Sequence, residues 1–96
     1  MSLSPFIEAH CDQIRAAAAR HGAVHVRVFG SMATGSAGPE SDVDLLVEAG
    51  PKRSPFFPGG LVADLEEILG RRVDVVTEAA LHPAIRARVL AESVPL

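Results

Sequence analysis

Hydrophobic residues recur at helical spacing in three parts of this chain. The first part extends from Ser4-Pro5 to His21-Gly22; a serine suits the cap of a helix, a proline its first turn and a glycine its end. Apolar residues three or four positions apart predict a second helix over 61–69 and a last helix over 83–91. In the last helix, Ile85 and Val89 are expected to face the core.

Alternating apolar and polar residues predict three strands between these helices, over 24–29, 43–48 and 72–77. Residues 30–41 are rich in glycine, serine, alanine and threonine, which predicts a loop or a short helical turn. Three prolines within 51–59 predict an irregular connection. The resulting order, α-β-loop-β-α-β-α, is typical of a small α/β domain.

The size and charge of the chain limit the classes of protein it can belong to. Its 96 residues are expected to form one domain over 1–96, with a single core. The formal net charge is −3, so no overall positive field attracts nucleic acid, and direct binding to DNA or RNA is not expected. The single cysteine, Cys11, excludes an internal disulfide and suits a reducing compartment. No apolar stretch approaches the ~20 residues of a membrane span, and the N-terminus does not resemble a signal peptide, so we predict a soluble, cytoplasmic protein.

The second predicted strand begins with two acidic residues, Asp42 and Asp44, which are one residue apart. Side chains at i and i+2 of a strand point to the same face, so the two carboxylates are expected to lie side by side, opposite a core face formed by Val43, Leu45 and Val47. Two like charges that close repel each other unless a cation lies between them. Mg²⁺ takes oxygen ligands of this kind, usually one or two carboxylates together with substrate phosphates. The pair therefore predicts a metal site.

A third acidic residue, Asp74, lies between two valines of the third predicted strand. If the second and third strands are neighbours, Asp74 comes alongside Asp44 and completes a cluster of three carboxylates. Such a cluster can bind two divalent ions ~3.5–4 Å apart and support in-line displacement at phosphorus. The alternative is that Asp74 only pairs with Arg71 or Arg72.

Gly30-Ser31 ends the first predicted strand, ten residues before Asp42. Glycine allows the backbone to approach a phosphate closely, and a helix that starts near Ser31 directs N–H groups at an anion. The same dipeptide also occurs in ordinary strand-to-helix turns, which is the alternative at this position.

Together, Gly30-Ser31, the ten intervening residues and Asp42-Val43-Asp44 resemble the signature of the DNA-polymerase-beta-like nucleotidyltransferase superfamily. The size of the chain and its SDVDLLVE segment resemble the minimal nucleotidyltransferase (MNT) branch. The resemblance implies a small mixed β-sheet of about three to four strands flanked by helices. It also implies that Asp42, Asp44 and Asp74 bind two Mg²⁺ ions, that Asp74 helps to activate the nucleophile, and that Gly30 and Ser31 hold the phosphates of ATP.

The resemblance further implies a protein partner, because MNT proteins commonly pair with a helical HEPN RNase toxin. Some members transfer AMP from ATP to a tyrosine of that toxin, so we predict an antitoxin that acts as a nucleotidyltransferase, specifically as a protein adenylyltransferase. Thr34 stands where the family usually has an arginine. This difference supports the alternative of an antitoxin that neutralises its partner by binding alone. A nucleotidyltransferase for small molecules is disfavoured, because no second domain is expected to bind the acceptor.

Overall fold

The computed structural model describes residues 3–52 and 55–96. Its elements follow the predicted order: α1 Pro5–Arg20, β1 Ala23–Phe29, α2 Ser31–Thr34, β2 Val43–Ala49, α3 Gly59–Leu69, β3 Val73–Thr77, a 3₁₀ turn Glu78–Ala80, α4 Pro83–Glu92 and β4 Val94–Pro95. The three predicted helices and three predicted strands are all present, and the glycine-rich segment contains the short helix α2. Of the irregular connection predicted over 51–59, residues 53–54 lie outside the described residues.

Local chemistry explains where the helices begin and end. The Ser4 hydroxyl oxygen accepts a hydrogen bond from the Phe6 N–H at 3.2 Å, so the serine caps α1 as predicted. The helix α3 ends at Gly70, whose φ of 65° lies in the left-handed region that favours glycine. The His82 ring caps α4 by accepting from the Ala84 N–H at 3.0 Å.

The strands form one mixed sheet with the order β3-β2-β1-β4. Strand β1 is antiparallel to both β2 and β4, whereas β2 and β3 are parallel and are connected through α3. The predicted mixed sheet of three to four strands is therefore confirmed. The two-residue strand β4 was not predicted, because so short a segment has no alternation to detect.

The main core lies between the sheet and the helices α1 and α3. Its largest fully buried side chains include Ile7 and Ile14 of α1, Leu61 and Leu65 of α3, and Val43, Leu45 and Val47 of β2. The predicted core face of β2 is therefore confirmed.

A second apolar cluster covers part of the opposite face of the sheet. It consists of Leu46, Leu81 and Val89, with Phe29, Val76 and Leu90 packed around them. Leu46 is thus buried on the face of β2 opposite to Val43, Leu45 and Val47, so both faces of this strand are covered. The prediction for α4 was right for Val89 but wrong for Ile85, which is 39% exposed. The reason is that α4 contacts this cluster through its second half, while residues 83–88 are exposed.

Within the described ranges, no helix combines the length and the hydrophobicity needed to cross a bilayer.

Candidate functional site

The end of β1 and the start of β2 lie side by side, which brings Gly30 against Asp44. Phe29 is the register partner of Asp44 in the antiparallel pair, and Gly30 is the next residue. A Cβ atom added to Gly30 would lie 2.5 Å from Oδ2 of Asp44, closer than any real Cβ contact. Gly30 also has a φ of 71°, which L side chains rarely adopt. Only glycine therefore fits between the end of β1 and the Asp44 carboxylate.

The short helix α2 begins at Ser31, directly after this contact. The Gly30 carbonyl accepts from the N–H groups of Ala33 and Thr34, and α2 ends at Gly35 in the left-handed conformation. Met32 and Ala33 are fully buried, and the Met32 carbonyl accepts from the Ser4 N–H at 2.9 Å. Burial and this bond hold α2 in place, so the half-buried Ser31 lies at a helix start beside Asp44.

Asp74 lies next to Asp44 on the neighbouring strand. The strands β2 and β3 are parallel, and Asp44 is the register partner of Asp74. In-register partners belong to strands ~4.8 Å apart and point to the same face. Strands two and three are thus neighbours, which is the condition that the sequence left open. The alternative is not observed: among the described residues, no ion pair joins Asp74 to Arg71 or Arg72.

The electrostatics of Asp44 show that the carboxylates affect one another. The pKa of Asp44 is raised above its ordinary value, first by burial of the carboxyl group and then by the negative charges of Asp74 and Asp42. Asp42 and Asp74 are exposed, whereas Asp44 is half-buried. The charged form of Asp44 is therefore unfavourable by itself, and a nearby cation would relieve this cost.

The carboxylates form an open donor set rather than a closed cage. In the part of the chain that is described, no three acidic, histidine or cysteine side chains converge closely enough to hold an ion by themselves. The donor atoms are carboxylate oxygens, the type that Mg²⁺ prefers, and Mg²⁺ commonly completes its coordination with water and substrate phosphate. The chemistry of the donor set thus fits a divalent ion that is bound together with a phosphate. Gly30 brings the backbone close to Asp44, whose carboxylate fills the space that a Cβ atom at position 30 would take.

Arg71 lies near this site and makes contacts that the sequence did not reveal. The guanidinium carbon lies 4.0 Å from the centroid of the Phe6 ring. The Nη1 atom of Arg71 also donates to the carbonyl oxygens of Gly38, at 3.3 Å, and Ser41, at 3.5 Å. These contacts join residues about thirty or more positions apart in sequence, so no local pattern could have indicated them.

A large groove lies away from the carboxylates. A groove of about 930 Å³ lies along the edge of β1, between α1 and the C-terminal residues; its lining includes Arg15, His25, Arg27, Glu78 and Leu96. None of the five predicted site residues lines it. The candidate site is therefore identified by the raised pKa of Asp44 and its neighbouring acidic residues, and not by the volume of a groove.

Known proteins resemble this chain over most of its length. A family model described as "Nucleotidyltransferase domain" matches residues 11–96. A protein of Methanocaldococcus jannaschii, named "Putative protein adenylyltransferase MJ0435", is 40% identical over 75 residues, which cover 78% of this chain and 81% of that protein. The "Protein adenylyltransferase MntA" of Thermococcus cleftensis is 37% identical over 94 residues, which cover 96% of this chain and 90% of the relative.

Solved structures share the fold. One described as "Structure of putative minimal nucleotidyltransferase" superposes with a TM-score of 0.84 at 45% identity, covering 100% of this chain and 97% of that one. A second, described as "Crystal structure of the toxin-antitoxin with AMP-PNP", has a TM-score of 0.75 at 20% identity and covers 88% of this chain and 69% of that one. At that identity, the second likeness concerns the fold alone.

Proposed function

Because this chain belongs to the nucleotidyltransferase domain family, we propose that it transfers AMP from ATP to a tyrosine hydroxyl of a HEPN-type RNase toxin and so acts as its antitoxin. Two relatives with names that include protein adenylyltransferase support the reaction. A protein of the same fold that occurs in a toxin–antitoxin complex with AMP-PNP supports the kind of partner and the nucleotide.

The observation on which this proposal depends is the convergence of Gly30, Asp44 and Asp74. A residue at position 30 has no room for a side chain because of the Asp44 carboxylate, and Asp44 is in register with Asp74. A glycine whose backbone approaches the Asp44 carboxylate closely thus lies beside two carboxylates in register on neighbouring strands. A glycine backbone and two carboxylates in this arrangement can bind a nucleotide together with a cation.

We assign roles to the five residues on this basis. Gly30 and Ser31 would hold the triphosphate through backbone N–H groups and the serine hydroxyl. Asp42, Asp44 and Asp74 would hold two Mg²⁺ ions, which neutralise phosphate charge when bound. The exposed Asp74 would also accept the proton of the acceptor hydroxyl.

The proposed transfer is a substitution at the α-phosphorus of ATP. The acceptor oxygen forms a bond to that phosphorus, the bond to the bridging oxygen of the β-phosphate breaks, and pyrophosphate leaves. The products are an AMP ester of the acceptor and pyrophosphate. For this chain, the rate would come mainly from positioning and from charge complementarity.

The test is a transfer assay with ATP labelled at the α-phosphate, Mg²⁺, and a toxin encoded beside this chain's gene. We expect label on the toxin, loss of its RNase activity, and loss of both effects in the Asp42→Ala/Asp44→Ala variant. Asp12→Asn, an exposed acidic residue on α1, is the matched control and should transfer normally. A wild-type protein that labels no toxin under these conditions would contradict the proposal.

A second candidate function is neutralisation of the toxin by binding alone. Two observations favour it: Thr34 replaces the arginine usual in the family, and the described carboxylates form no ready-made cage. This candidate predicts full neutralisation by Asp42→Ala/Asp44→Ala without any transfer of label. The same assay therefore separates the two functions.

A further inference from the structure

A single guanidinium group connects three segments of the chain near the candidate site. Arg71 follows α3, lies over the Phe6 ring of α1, and donates to two carbonyl oxygens of the loop that precedes β2. Arg71 is itself half-buried, whereas its neighbour Arg72 is exposed. Arg72 joins β2 only through its backbone, since its carbonyl accepts from the Val43 N–H at 2.9 Å.

The loop held by Arg71 leads directly to Asp42. Residues 35–41 are rich in glycine and serine and are mostly exposed, so burial contributes little to their order. Besides those from Arg71, the described hydrogen bonds of this loop are short-range: the Ser36 N–H donates to the Ser31 carbonyl, and the Gly38 N–H donates to the Ser41 hydroxyl at 2.7 Å. Arg71 therefore supplies the long-range side-chain hydrogen bonds that tie the loop to the rest of the fold, in addition to the packing of Ala37 against the core.

Charge repulsion acts against the order of this loop. Asp42 is exposed at the end of the loop, and its charge acts unfavourably on Asp44. Without a cation, this repulsion favours movement of Asp42 away from Asp44. A loop with few buried contacts would allow that movement, and the bonds from Arg71 to Gly38 and Ser41 oppose it.

We propose that Arg71 is a positioning residue that holds residues 35–41, the loop before Asp42, in the geometry needed to bind a divalent cation. The consequence of this role of Arg71 for catalysis rests on the proposed function. The effects of Arg71 on the order of the loop and on cation affinity do not.

An arginine suits this role better than a lysine. A planar guanidinium can stack on the Phe6 ring and, in the same position, donate from its edge to carbonyl oxygens. A lysine ammonium has no flat face and cannot satisfy both contacts with the same geometry. We therefore expect Arg71→Lys to behave like Arg71→Ala.

The experiment compares the wild type with Arg71→Ala, Arg71→Lys and the matched control Arg72→Ala. Hydrogen exchange of the backbone amides of 36–43 is measured in the metal-free protein, and the affinity for Mn²⁺, a spectroscopic substitute for Mg²⁺, is measured by electron paramagnetic resonance. The thermal midpoint of each variant shows that it is folded. The transfer assay then gives the Mg²⁺ concentration for half-maximal rate and kcat at saturating Mg²⁺.

Both Arg71 variants should exchange faster at 36–43 and bind Mn²⁺ about tenfold more weakly, the lower end of the loss found when residues that support a metal ligand are changed. The Mg²⁺ requirement should rise by a similar factor, with kcat at saturating Mg²⁺ reduced by less than about twofold. Arg72→Ala should match the wild type in all of these measurements.

Unchanged exchange and unchanged Mn²⁺ affinity in folded Arg71→Ala would overturn the proposal, as would full rescue by Arg71→Lys. If the wild type transfers no AMP but Arg71→Ala still loosens the loop and weakens Mn²⁺ binding, the proposed function fails and the positioning role of Arg71 stands.

Discussion

At the residue scale, the candidate site depends on what Gly30 and Asp44 impose on each other. Gly30 has the left-handed φ of 71°, and its missing side chain leaves the space that the Asp44 carboxylate occupies. Asp44 in turn has a raised pKa because it is partly buried beside two other acids. The charged form of Asp44 is unfavourable for stability taken alone, whereas glycine is the residue type that adopts the backbone conformation at position 30 without strain.

We expect Gly30→Ala to destabilise the protein and to abolish transfer. The added Cβ would lie 2.5 Å from Oδ2 of Asp44, and the φ of 71° would be strained. Strain of this kind costs about 1–3 kcal/mol, and the collision adds to it. Urea denaturation gives the change in the free energy of unfolding, and the transfer assay gives the activity.

Gly70 provides the control for Gly30. It has a similar φ of 65°, but a Cβ there would meet nothing within 4 Å. Gly70 lies in the αL region with a ψ of 24°, whereas Gly30 has a ψ of −152°, so Gly70→Ala gives a lower bound on the strain without a collision, about 1–2 kcal/mol. If both variants lose the same stability, the collision with Asp44 contributes nothing and the close contact at the site is refuted.

We expect Asp44→Asn to stabilise the metal-free protein while it abolishes transfer. The pKa of Asp44 is higher in the folded protein than its ordinary value of 3.8, so the folded state loses stability as pH rises through that raised pKa. Asparagine removes this loss. The thermal midpoint of Asp44→Asn should therefore exceed that of the wild type at pH 7, and the difference should shrink below pH 3.8. A lower midpoint for Asp44→Asn at pH 7 would contradict this account.

At the element scale, the positions of α1 and α3 matter for the site, because α1 precedes β1, which ends at Gly30, and α3 precedes β3, which contains Asp74. The His21 Nε2 lies 2.7 Å from Oδ2 of Asp64, which connects the end of α1 to the middle of α3. Arg20 lies 3.7 Å from the same oxygen. These polar contacts supplement the apolar packing between the two helices.

We expect Asp64→Asn to lower the thermal midpoint at neutral pH. The hydrogen bond with His21 is the main reason that the pKa of Asp64 lies below its ordinary value of 3.8, with a smaller contribution from Arg20. A lowered pKa means that this stability is present above pH 3.8 and is lost as pH falls through the lower folded value. The difference from the wild type should therefore disappear in strong acid. Glu67→Gln, an exposed carboxylate on the same helix, is the control, and an equal effect there would show that only net charge matters.

At the scale of the whole molecule, the proposed function requires that nucleotide and cation bind the folded state together. A ligand that binds only the folded state stabilises it by about 2.7 kcal/mol at a hundredfold excess over its Kd. We expect ATP with Mg²⁺ to raise the thermal midpoint of the wild type, and ATP or Mg²⁺ alone to raise it much less. Asp42→Ala/Asp44→Ala should show no such increase. An equal shift in that variant would place the nucleotide elsewhere, for example in the groove beside β1.

The sequence by itself determined the three long helices, the three longer strands and the site motif, because caps, alternation and helical spacing are local properties. Ser4-Pro5 and Gly70 mark helix ends, and Asp42 and Asp44 share a face of β2 whatever the rest of the chain does. Only the tertiary structure decided which distant residues meet. The pairing of β2 with β3 brings Asp74 to Asp44, and the position of α3 brings Arg71 to the loop before Asp42. Such contacts depend on how elements pack, and a sequence pattern within one element contains no information about its neighbours.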